Sequence, residues 1–237
     1  VTSTNALVRE RAAEGAPEGL VILANQQTAG RGRLGRAFYS PPDTGLYLSL
    51  LLRPRQMQPQ HATRITTMAA LAACEAIEAV TQQQPQIKWV NDIFLEGKKV
   101  CGILTEGSFN LETGQLDDVV VGVGFNVYPP AGGFPPEIAE IADSILQKQH
   151  SGTKNKLAAA FLNFFFQIYR GESDYASAYR ARSMVIGKSI VVSTPTASRN
   201  ASALDIDRDC RLIVRYEDGS IASLSSAEVS IRTEGMR

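Results

Sequence analysis

The sequence predicts an α/β (α+β) protein in which a central sheet of at least five strands carries flanking helices and is followed by a small β-rich module. Three observations lead there. Short apolar runs bounded by turn residues recur through the first half of the chain, the segment 59–82 has apolar residues at helical spacing, and after Gly187 the texture changes to short β segments. At 237 residues the chain accommodates one large domain and a small appended one. We divide it into domains 1–184 and 185–237.

Residues 1–14 open with Ser3 or Thr4 as the N-cap of a helix whose apolar side is Leu7, Val8 and Ala12. Strands are expected at 20–25 and 45–52, separated by a loop at 26–44 rich in Gly, Arg and Pro. A loop of that length in a compact domain usually has a function. Within 59–82, Ile65, Met68, Ala69, Ala72, Ile77 and Val80 recur near the helical period and mark a core-facing helix, with Gln82, Gln83 and Gln84 as its solvated end. Strands follow at 87–89, 99–109 and 116–125, two of them apolar enough for burial on both faces. After a Pro/Gly loop at 129–136, helices are expected at 138–147 and 154–169. The second presents Leu157, Phe161, Phe164, Phe165 and Ile168 on one side, as core rather than as a ligand platform. The tail module is built from segments 189–193, 203–207, 212–216 and 221–224, with a turn at Glu217-Asp218-Gly219, and reads as a small β-barrel.

Lys plus Arg and Asp plus Glu both number 24, so the net charge is zero and no overall field holds the chain to nucleic acid or an anionic membrane. Anion binding must come from a local cluster. Cys74, Cys101 and Cys210 match no zinc or redox spacing and, being three, cannot all pair, which suits a reducing cytoplasm. No apolar run approaches the roughly 18 residues of a membrane span, and residues 1–9 lack the apolar core of a secretion signal. The expected localisation is cytoplasmic, without a membrane partner.

Three segments carry chemistry. In Gln27-Thr28-Ala29-Gly30-Arg31-Gly32-Arg33-Leu34-Gly35-Arg36, glycines let the backbone approach a guest and guanidinium forks bind phosphate or carboxylate oxygens. An anionic small molecule fits, and local composition equally allows a solvated basic loop or a nucleic-acid contact. Gly30, Gly32 and Gly35 have the dinucleotide-fingerprint spacing, but Pro41, Pro42 and a strand at Gly45 leave no room for the helix it requires. Lys88-Trp89-Val90-Asn91-Asp92 ends a strand before a turn through Glu96-Gly97-Lys98 and puts Lys, Asn and Asp at the mouth of a sheet. An Asx turn beside a surface lysine is its plainer explanation. In Gly122-Val123-Gly124-Phe125-Asn126, strand glycines permit close approach and Asn126 offers a donor and an acceptor.

Taken in order, with Ser3-Thr4-Asn5 at the start and Lys99-Val100-Cys101-Gly102-Ile103-Leu104-Thr105-Glu106 before the last, these segments resemble the biotin protein ligase (biotin--[acetyl-CoA-carboxylase] ligase) family. The resemblance runs over nearly the whole chain, and Glu228-Val229-Ser230-Ile231-Arg232 is similar to the end of that family's SH3-like C-terminal domain. It implies a mixed central sheet, related to lipoate ligases and class II aminoacyl-tRNA synthetases, plus a small SH3-like β-barrel. It also implies that ATP activates biotin to biotinyl-5'-AMP, releasing pyrophosphate. Biotin then passes to a lysine of the biotin carboxyl carrier protein domain of acetyl-CoA carboxylase. Mg2+ is the implied cofactor, and sheet-mediated homodimers occur in the family.

By matching position, the resemblance assigns Ser3, Thr4 and Gln27 to the biotin ureido ring, with backbone of Gly30, Gly102 and Ile103 helping. Arg31, Arg33, Arg36, Lys88 and Asn91 would meet carboxylate or phosphates, Phe38 the adenine, and Asn126 the nucleotide. Biotin's carboxylate is already ionised at neutral pH, so activation needs fixed cations rather than a general base. Lys88 is the expected cation between carboxylate and α-phosphate, Arg31 the clamp, and Asp92 the group that orients or deprotonates the acceptor lysine. The chain departs from the family at Val90, where Pro is usual, and lacks the acidic residue that commonly precedes Ser3. It also holds no residues for the N-terminal winged helix of many bacterial relatives, so DNA is not an expected partner. The alternatives are a lipoate or octanoate ligase, which would need a long apolar tunnel, and a non-enzymatic nucleic-acid-binding module.

Overall fold

In the computed structural model, which describes residues 1–54, 57–58, 62–109, 115–171, 174–194 and 196–232, helix α1 (Thr4–Ala13) leads into β1 (Val21–Ala24) and β2 (Gly45–Leu52). Helix α2 (Ala62–Thr81) follows, then β3 (Gln86–Lys88), β4 (Asp92–Leu95), β5 (Lys98–Phe109) and β6 (Leu116–Asn126). The short α3 (Pro136–Ala139), α4 (Thr153–Tyr169) and α5 (Tyr175–Ala181) complete this part. The tail contains β7 (Ser189–Ser193), β8 (Ser198–Ile206), β9 (Leu212–Tyr216), β10 (Ile221–Leu224) and β11 (Glu228–Ile231). Residues 59–61 of the expected helix 59–82 lie outside the described residues.

The first six strands form one sheet in the order β1-β2-β6-β5-β4-β3, and all its named pairs are antiparallel. Among the described residues the sheet is mixed only through two isolated parallel bridges, Ile87 to Ser183 and Lys99 to Ala142. Alternation along the central strands sorts their residues between two faces. Leu46, Leu48, Leu50 and Leu52 of β2, with Val119, Val121, Val123 and Phe125 of β6, join the core cluster with Ile65, Leu71 and Ile77 of α2 and Phe161 and Phe165 of α4. Each such side chain contributes about 1.5–3 kcal/mol on burial. On the other face Leu51 and Val120 pack against Val8 and Ala12 of α1.

Four elements differ from the sequence expectation. No helix spans 138–147: only Pro136–Ala139 is helical, because the following backbone is taken by the sheet. Lys99 N–H donates to Ile141 O, Asp143 N–H to Lys99 O and Ile145 N–H to Asn126 O, while the Asp143 carboxylate accepts from Ser144 N–H. Strand β4 is additional, closed onto β5 by Glu96 and Gly97, both at positive φ as a tight two-residue hairpin demands. Helix α5 is additional too, too short at seven residues to show a periodicity, and capped by Asp174, which accepts from Ser177 N–H. The tail is a five-stranded antiparallel sheet ordered β10-β9-β8-β7-β11, in which β8 starts at Ser198 and β11 pairs with β7.

Candidate active site

Strands β5 and β6 set Gly102 opposite Gly124 and Leu104 opposite Gly122, on the face turned away from α2 and α4. The three glycines, Gly102, Gly122 and Gly124, make a flat floor without side chains, and above it lies a cavity of about 240 Å3. The space is already contoured. A Cβ on Gly122 would come within 2.0 Å of Asn5 Oδ1, and one on Gly124 within 2.6 Å of the Phe38 ring. Only glycine admits these groups so close to the strands.

One end of the cavity is a hydrogen-bonded polar cluster at the start of α1. Thr4 N–H and Oγ1 lie 2.8 and 3.1 Å from Gln27 Oε1, and Gln27 Nε2 donates to Ser40 Oγ at 3.1 Å. Ser49 Oγ, fully buried on β2, lies 2.7 Å from Thr4 Oγ1 and 2.6 Å from Asn5 Oδ1. Ser3 is the N-cap residue, but its side chain makes no capping bond and lines the cavity instead.

The other end is cationic. Lys88 and Asp92 are cross-strand partners on β3 and β4, and both line the cavity. Burial pulls the Lys88 pKa below its ordinary value, an effect that nearby Asp92 opposes and Lys99 reinforces. Lys99 is the residue that sequence reasoning missed. Strict alternation from Gly102 would point Lys99 to the helix face, but the register shifts between Ile93 and Phe94, so that Lys99 falls opposite Phe94 and its ammonium lies 2.6 Å from Asp92 Oδ1. Asp92 Oδ1 nevertheless lacks an aligned hydrogen bond; the contact with Lys99 is a close ion pair without hydrogen-bond geometry.

The Gly/Arg loop folds over this end through an isolated bridge between Arg31 and Ala37. Arg33 donates to Asn91 Oδ1 at 3.0 Å, while Asn91 Nδ2 donates to Ile103 O at 2.8 Å. Arg31 pairs with Glu106 at 3.3 Å and Arg36 with Glu228. The tail thus supplies part of the wall, since Ala227, Glu228 and Val229 line the cavity and Ser226 receives Arg33. It also braces the Lys88–Asp92 turn, where Trp89 Nε1 donates to Cys210 O at 2.9 Å; α5 adds a second brace, with Tyr179 OH donating to Val90 O at 3.0 Å. The Trp89–Val90 peptide is cis.

Ser3, Thr4, Gln27, Arg31, Arg33, Arg36, Phe38, Lys88, Asn91, Asp92, Gly102, Ile103 and Asn126, all expected from sequence, line this one cavity. Gly30 does not; it sits behind the wall, where its carbonyl accepts from Phe38 N–H at 2.9 Å. Phe38 lies against the floor glycines with its ring edge-on to Tyr47, and Asn126 donates to Asp143 O at 3.2 Å. Among the described residues no cluster of three His, Cys, Asp or Glu is arranged for a metal ion.

Residues 1–126 match the model of the biotin/lipoate A/B protein ligase family, and residues 185–232 match that of the biotin protein ligase C-terminal domain. The chain belongs to the biotin protein ligases of this family. It is 32% identical over 239 residues to the bifunctional ligase/repressor BirA of Bacillus subtilis, an alignment covering 98% of this chain and 72% of that one. It is 33% identical over 216 residues to the biotin--[acetyl-CoA-carboxylase] ligase of Mycobacterium tuberculosis, covering 89% and 79%. Among solved structures, the Aquifex aeolicus biotin protein ligase in complex with biotin and ATP superposes with a TM-score of 0.76 at 25% identity, covering 97% of this ligase and 94% of that one.

Proposed function

We infer that this ligase activates biotin with ATP to biotinyl-5'-AMP, releasing pyrophosphate, and passes biotin to a lysine of a biotin carboxyl carrier protein. The observation that carries this is a single cavity with a neutral hydrogen-bonding end, at Thr4, Asn5 and Gln27, and a cationic end, at Lys88, Lys99 and Arg33, joined by a glycine floor. A ureido ring suits the first end and a carboxylate facing a phosphate the second. Lipoate and octanoate offer an apolar chain to the polar end, where Thr4, Asn5 and Gln27 would be desolvated without gaining a hydrogen bond from the ligand. Pyrophosphate exchange into ATP, run with biotin, lipoate and octanoate in parallel, is the test: exchange with biotin alone is expected, and exchange with either other acid alone would overturn the substrate.

Two anions must meet, so the chemistry is electrostatic. We assign Ser3, Thr4, Gln27 and the backbone of Gly102 and Ile103 to holding biotin; Gly30, expected with them, stands behind the wall and acts through its bond to Phe38. Lys88 and Lys99 flank the reacting carboxylate and α-phosphate, Arg31 clamps them, and Arg33, Arg36, Phe38, Asn91 and Asn126 hold the nucleotide. Lys99 joins the set because its ammonium lies within 3.3 Å of a Cβ position on Gly102, directly over the floor. A Mg2+ ion, commonly held by one or two carboxylates plus phosphate oxygens, would be held here by the Asp92 carboxylate, whose buried Oδ1 has no aligned hydrogen bond, in place of its ion contact with Lys99. The ion would supply charge neutralisation between the phosphates.

We also assign Asp92 to orienting the acceptor amine, whose free pKa of about 10.4 keeps it protonated at neutral pH. The loop around Arg31 to Arg36 closes over the adenylate and shields the mixed anhydride from water; biotin plus ATP is expected to protect this loop from proteolysis, and equal cleavage with and without ligands would argue against a lid. For the acceptor, β5 offers an open edge: its pairing with β4 ends at Gly102, so residues 104–109 bond only to β6 among the described strands. An extended acceptor segment can add there as a strand beside the cavity. Residues 1–184 would form the catalytic domain and 185–237 an SH3-like C-terminal domain, a division supported by the separate match to 185–232.

A further inference from the structure

Glu106 lies on β5 opposite Val120, two residues beyond the cavity wall at Leu104. Its side chain is only 17% exposed, yet it carries a carboxylate with no place in the chemistry proposed above. Both oxygens are engaged. Oε2 accepts from Asn5 Nδ2 at 2.9 Å, while Oε1 is 2.9 Å from Arg9 Nη2 on α1 and 3.3 Å from Arg31 Nη2 on the Gly/Arg loop. Asn5 in turn meets Ser49 and rests on Gly122. One carboxylate therefore ties the polar end of the cavity, the sheet floor and the clamp loop together.

The two cations differ in what they can do. Arg9 sits on α1 and is not part of the cavity lining, whereas Arg31 lines the cavity from a loop. If Arg31 turned its guanidinium toward a ligand carboxylate or phosphate, Arg9 would still neutralise the partly buried Glu106, so no uncompensated charge would be left behind. A lone Glu106–Arg31 pair would resist that move.

We propose that Glu106 is a positioning residue for ligand binding: it holds Arg31 at the cavity rim in register with Asn5 and Thr4, and Arg9 is the standing counter-ion that lets Arg31 engage the ligand without orphaning the carboxylate. This rests on the clamp role proposed for Arg31. Glu106→Gln keeps an oxygen for Asn5 and removes the charge that draws Arg31, so the fold is retained while the clamp loosens.

The test is a double-mutant cycle on the full chain, with biotin affinity measured by calorimetry and the KM for biotin by pyrophosphate exchange. Glu106→Gln and Arg31→Ala are each expected to weaken biotin about tenfold, as coupled neighbours do, with the double variant no worse than Arg31→Ala alone. Glu106→Asp, which keeps the charge, is expected to recover most of the loss. Full additivity, or a Glu106→Gln protein that binds biotin as the parent does, would overturn the positioning role while leaving the clamp intact. An unaffected Arg31→Ala would overturn both. Should Glu106→Gln fold poorly, Arg9→Ala decides: it removes the standing counter-ion from an exposed site, and a KM for biotin unchanged from the parent would overturn the counter-ion role.

Discussion

The two faces of the central sheet are made by the same strands and could hardly differ more. Toward α2 and α4, β2 and β6 offer leucines, valines and Phe125, all fully or nearly buried, and the face is finished by packing. Toward the cavity the alternate positions are Ser49, Gly102, Gly122 and Gly124, where packing is withheld and Asn5 and Phe38 come down onto bare backbone. A sheet can thus use one face for stability and leave the other for a ligand, because period-two alternation keeps the two sets of residues independent. The aliphatic cover on that face is confined to the contact of Leu51 and Val120 with Val8 and Ala12 of α1, outside the glycine floor.

That contrast can be attacked directly. The largest effect is expected at the cationic end: Lys88→Ala and Lys99→Ala should each slow biotinyl-AMP formation by about 100-fold or more in single-turnover assays, with thermal unfolding unchanged. Unaltered adenylation in either would remove that lysine from the reaction and show which of the two meets the phosphate. Next, Gly124→Val should abolish measurable biotin binding by calorimetry with little change in fold, whereas Leu50→Ala on the opposite face should cost about 2–5 kcal/mol of stability and leave the KM for biotin alone. A Leu50→Ala protein with a raised KM would mean that the faces are coupled.

Asp92→Asn separates the two half-reactions. Slowing of transfer by about 100-fold with normal adenylation, read by quenched-flow with a carrier protein, assigns it to the acceptor amine; slowed adenylation assigns it to Lys99 and the phosphates, and no change in either removes it from both. The smallest effect is in pH. Because burial lowers the Lys88 pKa, its ammonium is lost on raising the pH before an ordinary lysine would titrate at 10.5, so adenylation should decline on an alkaline limb lying below that value. Lys88→Arg should move the limb upward, and an unmoved limb would assign it to another group.

The candidate site was legible because its parts are short motifs with unusual chemistry: three arginines among glycines, Lys-Trp-Val-Asn-Asp, and spaced glycines in a strand. Lys99 lay inside a recognised motif and was still passed over, since alternation predicts the wrong face for it and the bulge beside Val100 is a property of the hairpin. The tail's share of the wall was hidden for a similar reason. Ser226 is 193 residues from Arg33, and nothing local announces that it and Glu228 meet Arg33 and Arg36. Segment 138–147 failed as a helix because its backbone donors found partners on β5 and β6.

By itself, then, the sequence determined the element order through most of the chain, the buried leucine and valine face, and the identity of nearly every group around the cavity, because periodicity and side-chain chemistry are local properties. Tertiary structure alone decided that Lys99 faces the floor, that Gly30 stands behind the wall, that the tail supplies part of that wall, and that Glu106 gathers Asn5, Arg9 and Arg31. Those depend on strand register and on contacts between residues far apart in the chain, whose free energy accrues only once the whole sheet has assembled.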